Sequence, residues 1–132
     1  MPAVRVLIAE DYDEFRRHLR YTLLKDSQYE IVAEVSDGLE AVRQAEELQP
    51  DLVLLDLSLP TLNGMEVGRQ IRRLSPNSKI VFLSQESSRE VMQGAFGIGA
   101  LGYVLKSEAA ELPLALETVM KGEQFMSSRL RS

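Results

Sequence analysis

Short, unbroken apolar runs alternate along this chain with longer segments in which apolar residues recur every three or four positions. Unbroken runs rich in valine, isoleucine and leucine are typical of strands that are buried on both faces of a parallel sheet. Segment 29–35 instead alternates apolar and polar positions, as a half-buried strand does. The pattern therefore predicts five strands, at residues 4–9, 29–35, 52–55, 79–83 and 103–105.

Helical periodicity fills the segments between the predicted strands. Phe15, Leu19 and Leu23 recur at intervals of four residues and predict the first helix, for which Asp13 is a candidate N-cap. Four further segments show the same periodicity and are flanked by residues that favour helix ends. These helices are predicted to run from the turn Asp37-Gly38 to Pro50, from Asn63 to Ser75, from Ser87 or Ser88 to Gly99, and from Ala110 to Gly122.

The order of these elements predicts the class of fold. Strand and helix alternate five times, which is typical of an α/β fold with a doubly wound, five-stranded parallel sheet and five helices covering both faces. Crossovers between parallel strands are right-handed, and the common strand orders open a crevice between the first and third strands. The apolar pattern by itself leaves the strand order open.

Length and composition restrict the class of protein. A chain of 132 residues with 45% apolar residues predicts one domain with a sizeable core. The sequence contains no cysteine, which suits a reducing compartment, and no apolar run long enough to span a bilayer, so we expect a cytoplasmic protein without membrane contact. The net charge of −5 argues against direct binding of nucleic acid by this segment.

Polar residues with useful chemistry follow four of the predicted strands. Glu10-Asp11, Asp56, Ser84 and Lys106 stand where the first, third, fourth and fifth strands end. Ligands of open α/β sheets bind beyond the carboxyl ends of the strands, so we expect these side chains to converge. Two carboxylates about 4 Å apart repel by about 4 kcal/mol, and Mg²⁺ is the cation that would naturally neutralise them. The alternative is a solvated acidic rim that binds no metal.

Asp56 is the candidate nucleophile of this group. A carboxylate can attack phosphorus and form an aspartyl phosphate, a reaction that depends mainly on positioning and on neutralising charge on the phosphoryl oxygens. Lys106 would supply an ammonium for that purpose, and Ser84 would supply a hydroxyl donor. A lysine or a serine alone at a strand end carries little information, whereas their joint placement favours phosphoryl chemistry.

Short motifs are distributed over the chain: Glu10-Asp11, Asp56, Leu59-Pro60, Asn63-Gly64, Ser84, Tyr103 and Lys106. Together they resemble the receiver domains of bacterial two-component response regulators. The resemblance implies a flavodoxin-like sheet with strand order 2-1-3-4-5. Segment 99–106 is most similar to the subfamily with a C-terminal helix-turn-helix output domain, of the LuxR, NarL and FixJ type. Residues 1–122 would then form the receiver domain, and residues 123–132 the start of a linker to an output domain.

The resemblance implies a role for each residue of the acidic group. Asp56 would receive a phosphoryl group from a sensor histidine kinase. Mg²⁺ would be bound by Asp11, by Asp56 and by the backbone carbonyl of Ser58. Glu10 would hold a metal-bound water.

The same resemblance implies how the signal is transmitted. Ser84 and Lys106 would contact the phosphoryl group, and Tyr103 would turn inward as Ser84 is drawn toward the phosphate. The change would reach the protein's own output domain and favour a homodimer of the phosphorylated form. The chain would act as a switch that gains and loses a phosphoryl group, and not as an enzyme that turns over an external substrate.

Three positions depart from the family pattern. Glu10 replaces an aspartate, and Ser107 replaces the proline that often follows the lysine, which leaves open whether the peptide between Lys106 and Ser107 is cis. Gln85 directly follows Ser84, where the family usually has a small residue. Its amide would narrow access to Asp56 and slow phosphoryl exchange, or would bond to the phosphate.

Two other functions are compatible with parts of the sequence. A receiver fold blocked by Gln85 would signal through protein contacts without phosphorylation. A flavodoxin-like or phosphohydrolase domain would act on external substrates. The sequence has neither a glycine-rich phosphate loop after the first strand nor an Asp-x-Asp pair after the third, which argues against the enzyme.

Overall fold

A six-stranded sheet with helices on both faces forms the framework of the molecule. The computed structural model describes residues 2–131, and no helix within them is both long and apolar enough to cross a bilayer. The strands are β1 Val4–Ala9, β2 Tyr29–Val35, β3 Leu52–Asp56, β4 Lys79–Ser84, β5 Gly102–Leu105 and β6 Phe125–Met126. The helices are α1 Asp13–Leu24, α2 Gly38–Leu48, α3 Gly64–Leu74, α4 Arg89–Gly97 and α5 Leu112–Met120.

The strand order is β2-β1-β3-β4-β5-β6, and neighbouring strands are parallel. The predicted order is confirmed for the first five strands, so the crevice of the sheet lies between β1 and β3. The predicted number of five strands is wrong, because Phe125 and Met126 pair with β5 as a sixth strand. Two residues are too few to produce a recognisable period, which is why the apolar pattern does not predict this strand.

Two apolar clusters fix the sheet between its helical layers. Leu7 belongs to the cluster beneath α2, α3 and α4, and the next residue, Ile8, belongs to the cluster beneath α1 and α5. The same alternation places Val53 and Leu54 on opposite faces of β3. Burial on both faces explains the unbroken apolar runs. It also fixes the positions from which the residues at the strand ends project.

Two predicted helix caps, Asn63 and Ser88, are confirmed, and Asp37 of the predicted turn also caps a helix. The side chains of Asp37, Asn63 and Ser88 each accept a hydrogen bond from the backbone N–H three residues further on, which satisfies a donor that the helix itself leaves unpaired. The predicted cap at Asp13 is wrong, because Asp13 is the first residue of α1. Its carboxylate instead accepts a hydrogen bond from Arg16, one turn further along the helix.

The chain after β5 differs in detail from the prediction. A 3₁₀ segment, Lys106–Glu111, precedes α5, so α5 begins at Leu112 and not at about Ala110. Gly122 adopts the left-handed conformation with φ of 85° and follows the end of α5 as predicted. The chain then pairs with β5 and forms a second 3₁₀ segment, Ser128–Leu130.

Candidate functional site

The carboxyl ends of β1 and β3 bring three carboxylates together. Glu10 and Asp11 follow β1, Asp56 ends β3, and the two strands are paired. Oxygen atoms of the three carboxylates lie within 4.8 Å of one another. Glu10 is 0% exposed and Asp56 is 2% exposed, whereas Asp11 is exposed. The acidic group is therefore enclosed by protein on one side and open to solvent on the other.

Lys106 reaches the acidic group from the end of β5. Its Nζ lies 2.9 Å from Oε2 of Glu10 and 3.4 Å from Oδ2 of Asp56, and its side chain is only 11% exposed. Residues 2–131 contain no cis peptide, so the bond between Lys106 and Ser107 is trans. One ammonium is thus shared by two buried carboxylates.

Glu10 is the carboxylate whose ionisation the protein opposes. Burial raises the pKa of Glu10 from 4.5 to about 7, and the hydrogen bond from Lys106 only partly offsets that effect. Oε2 of Glu10 also accepts a hydrogen bond from the N–H of Tyr12, but Oε1 is buried and has no partner among the described residues. The pKa of Asp11 is raised as well, first by desolvation and then by Asp56.

This set of donors fits a hard divalent cation. Three carboxylates and one ammonium leave two negative charges when all are ionised, and one divalent cation cancels them. Mg²⁺ favours carboxylate oxygens and keeps several of its waters. The unpartnered Oε1 of Glu10 leaves an acceptor open in this group, and a buried oxygen without a hydrogen bond is costly.

The carboxylate of Asp56 is oriented from two sides. Oδ1 accepts a hydrogen bond of 3.0 Å from the backbone N–H of Ser58, and Oδ2 faces Nζ of Lys106. Ser58 lies in the loop after β3 and is exposed. A carboxylate held in this way beside a cation is placed to act as a nucleophile.

Ser84 and Tyr103 meet at the backbone of Glu86. The Ser84 hydroxyl donates to the Glu86 carbonyl at 3.2 Å and accepts from the Glu86 N–H at 3.0 Å. The Tyr103 hydroxyl donates to the same carbonyl at 3.2 Å, and its ring is fully buried. Tyr103 therefore already lies inward. Ser84 pairs with Leu105, next to Lys106, which places it at the same edge of the sheet as the acidic group.

Gln85 lies beside a cleft at this edge. Its side chain is exposed and lines, with Ser58 and Ser84, a cleft of about 260 Å³ between the loops after β3 and β4. The amide therefore borders one approach to the loops that carry the candidate site.

Two contacts of the site are absent from the sequence prediction. The ring of Phe15 lies 5.0 Å from Nζ of Lys106, and Oγ of Ser127 accepts a hydrogen bond of 2.7 Å from the N–H of Leu105. The four-residue spacing of Phe15 marks it as apolar packing of α1, but nothing in that spacing indicates that it borders a lysine. No local signal relates Ser127 to Leu105.

The sequence is similar to signalling proteins over most of its length. The family described as the response regulator receiver domain matches residues 6–117. The transcriptional regulatory protein LiaR of Bacillus subtilis is 36% identical over 128 residues, which are 96% of this chain and 61% of LiaR. The chemotaxis protein CheY of Listeria monocytogenes is 34% identical over 119 residues, 89% of this chain and 99% of CheY. The chain thus spans about three fifths of the regulator and nearly all of CheY.

Solved structures share the fold. The crystal structure of a two-component response regulator of the LuxR family from Aurantimonas sp. has a TM-score of 0.91 at 33% identity, covering 97% of this chain and 92% of that chain. The RcsB response regulator of Salmonella typhimurium has a TM-score of 0.89 at 25% identity, covering 98% of this chain and 64% of that chain. The similarity therefore includes nearly the whole chain.

Proposed function

Because this chain belongs to the response regulator receiver domain family, we propose that it is a phosphorylation-activated switch whose phosphoacceptor is Asp56. The observation that carries the proposal is the convergence of Asp56 with two further carboxylates and the ammonium of Lys106. LiaR and CheY, each more than 30% identical to this chain, are a transcriptional regulatory protein and a chemotaxis protein, which supports signalling over turnover of an external substrate.

The proposal assigns the acidic group to Mg²⁺. Asp11, Asp56 and the backbone carbonyl of Ser58 would be the ligands, and Glu10 would hold a metal-bound water. The unpartnered Oε1 of Glu10 and the open side at Asp11 support this division. When bound, the ion supplies positive charge beside the phosphoryl oxygens.

Asp56 takes the phosphoryl group from a phosphohistidine of a sensor histidine kinase. A carboxylate oxygen of Asp56 forms the new P–O bond while the P–N bond to the kinase histidine breaks, and the histidine nitrogen keeps the electron pair. Lys106, whose Nζ is 3.4 Å from Oδ2 of Asp56, pairs with a phosphoryl oxygen. Attack of water on the acyl phosphate later restores the carboxylate and releases phosphate.

The phosphoryl group then acts through Ser84. It carries about 1.5 to 2 negative charges and three strong acceptors, which draw the Ser84 hydroxyl away from the backbone of Glu86. Loss of those hydrogen bonds changes the loop after β4 and its contact with the Tyr103 hydroxyl. The active surface gains population by the difference in interaction free energy between the two states.

The partners are a sensor histidine kinase and an output domain of the same protein. In this proposal residues 1–122 are the receiver domain, and residues 123–132 begin the linker. The greater length of LiaR supports a further domain that this segment regulates. We also propose that the protein is cytoplasmic and that its phosphorylated form is a homodimer. In this proposal the segment itself contacts neither nucleic acid nor a membrane.

One experiment tests the phosphoacceptor. The protein is incubated with acetyl phosphate and Mg²⁺, and its intact mass is measured. We expect one added phosphoryl group, which is absent from Asp56→Asn and retained by Asp13→Asn, an exposed carboxylate of α1 that pairs with Arg16. Absence of the adduct from the wild-type protein, or its persistence in Asp56→Asn, contradicts the proposal.

The exposed Gln85 beside the cleft favours a second candidate, a receiver that acts through protein contacts without phosphorylation. In the leading proposal Gln85 slows phosphoryl exchange, so Gln85→Ala accelerates both gain and loss of the adduct. If only Gln85→Ala is phosphorylated, the amide blocks the wild-type site and the second candidate is correct. If the wild-type protein and Gln85→Ala gain and lose the adduct at equal rates, Gln85 does not control access to Asp56.

A further inference from the structure

The aromatic ring of Phe15 forms one wall around the ammonium of Lys106. Phe15 lies in the first turn of α1, and Lys106 follows β5. The ring centroid is 5.0 Å from Nζ, within the range in which a cation is attracted to the face of an aromatic ring. Phe15 also packs against the apolar cluster beneath α1 and α5. That packing holds the ring in place independently of the charges of the site.

The other two partners of the ammonium are carboxylates. Glu10 and Asp56 approach Nζ at 2.9 Å and 3.4 Å. In the proposed function both carboxylates change partners, because Glu10 turns to a metal-bound water and Asp56 becomes the acyl phosphate. The ring carries no net charge and does not titrate, so its attraction for the ammonium persists through those changes.

From this geometry we infer that Phe15 is a positioning residue, whose ring face holds the ammonium of Lys106 beside Asp56 while the carboxylates exchange partners. The inference rests on the proposed function, because it assigns Phe15 an effect on phosphoryl transfer through Lys106. It goes beyond that function because no phosphoryl, metal or kinase contact is assigned to the ring itself.

The test compares phosphorylation rates with acetyl phosphate and Mg²⁺. In this reaction an oxygen of Asp56 bonds to phosphorus as the bond to the acetate oxygen breaks. Phe15→Leu keeps an apolar side chain but removes the ring, so we expect the rate to fall about three- to tenfold. Phe15→Tyr keeps the ring and the rate. Tyr21→Leu is the matched control. It removes a ring of the same helix that is exposed and whose centroid lies 4.3 Å from Nζ of Lys25, away from the site.

A double-mutant cycle separates positioning from general packing. If Phe15 acts through Lys106, Phe15→Leu has no further effect on the rate once Lys106→Ala has removed the ammonium. If Phe15→Leu slows phosphorylation by the same factor with and without Lys106→Ala, the ring acts through packing and the inference is overturned. The inference is also overturned if the wild-type protein is phosphorylated normally and Phe15→Leu is phosphorylated at the same rate.

A second readout needs neither metal nor phosphate. Because Nζ of Lys106 lies over the Phe15 ring, we expect the NMR signals of the protons on the adjacent carbon to be shifted upfield in the metal-free wild-type protein. Phe15→Tyr retains this shift and Phe15→Leu loses it. A wild-type shift equal to that of exposed lysines overturns the inference, even if Phe15→Leu does not fold. Failure of the proposed function appears differently, as wild-type protein that shows the NMR shift but gains no phosphoryl group.

Discussion

Glu10 and Asp56 are two buried carboxylates that share one ammonium. Each would be stabilised as an anion by full pairing with Lys106, but the lysine lies between them at 2.9 Å and 3.4 Å. Glu10 is the more enclosed of the two, and its pKa is raised by burial despite its hydrogen bond to Lys106. In the metal-free protein, Glu10 therefore holds its proton to about pH 7.

This raised pKa predicts how stability depends on pH. Folded Glu10 has a pKa of about 7 against 4.5 for an ordinary glutamate, so the folded state binds the proton more tightly than the unfolded chain does. Without divalent cations, the contribution of Glu10 to the free energy of unfolding is greatest below pH 4.5 and is lost as the pH rises to about 7. The total loss is at most about 3 kcal/mol.

Urea denaturation in a chelating buffer measures this contribution when wild type is compared with Glu10→Gln, whose amide does not titrate. Because carboxylates distant from Glu10 titrate equally in both proteins, the difference between the two free energies reports Glu10 together with the groups that share its site. We expect that difference to change steadily across the interval from 4.5 to about 7. A difference that is constant with pH contradicts a raised pKa.

At the scale of elements, β6 ties the end of the described chain to β5. The N–H of Ser127 donates to the Tyr103 carbonyl at 3.0 Å, and Oγ of Ser127 accepts from the N–H of Leu105 at 2.7 Å. Ser127 is 0% exposed. Both partners lie in β5, the strand that Lys106 follows, so the linker of the proposed function is bonded to the strand that leads to the site.

Replacement of Ser127 tests this connection. Ser127→Ala leaves the N–H of Leu105 buried without a partner, which we expect to cost about 1 to 3 kcal/mol of unfolding free energy. Ser87→Ala is the control, because Ser87 is exposed and its loss is expected to stay within about 0.5 kcal/mol. Equal unfolding midpoints for the two variants show that Ser127 does not anchor the chain.

Elements whose signals are local could be predicted from the sequence. The predicted caps Asn63 and Ser88 each bond to an N–H only three residues away, so one short window contains both partners. Strand β6 could not be predicted, because its two residues are stabilised by pairing with β5 across an intervening helix. The wrong cap at Asp13 has the same origin, since a suitable residue type does not reveal where the first helical turn begins.

At the scale of the whole molecule, the parallel sheet brings residues that are far apart in the sequence close together in space. Parallel strands place their carboxyl ends at one edge, so the grouping of Glu10, Asp56 and Lys106 could be predicted before any coordinates were known. The sharing of Lys106 by two carboxylates and its contact with Phe15 could not be predicted, because side-chain packing between distant elements determines them.

If the protein binds Mg²⁺ as proposed, we expect the ion to increase the stability of the whole molecule. A ligand that binds only the folded state stabilises it by about 2.7 kcal/mol at a hundred times its Kd. We expect the thermal midpoint to rise with added Mg²⁺, and to rise much less in Asp11→Asn, which loses a proposed ligand on the open side of the site. Sodium chloride at matched ionic strength controls for screening. Equal responses of the two proteins exclude Asp11 from the metal site.

The identity of the phosphorylated side chain is the most direct test of the account. After incubation with acetyl phosphate and Mg²⁺, borohydride reduces an acyl phosphate to the corresponding alcohol, which peptide mass spectrometry then locates. The account predicts homoserine at position 56 and at no other acidic position. A reduced residue at Glu10, Asp11 or Asp13, or none at all in a folded protein, contradicts it.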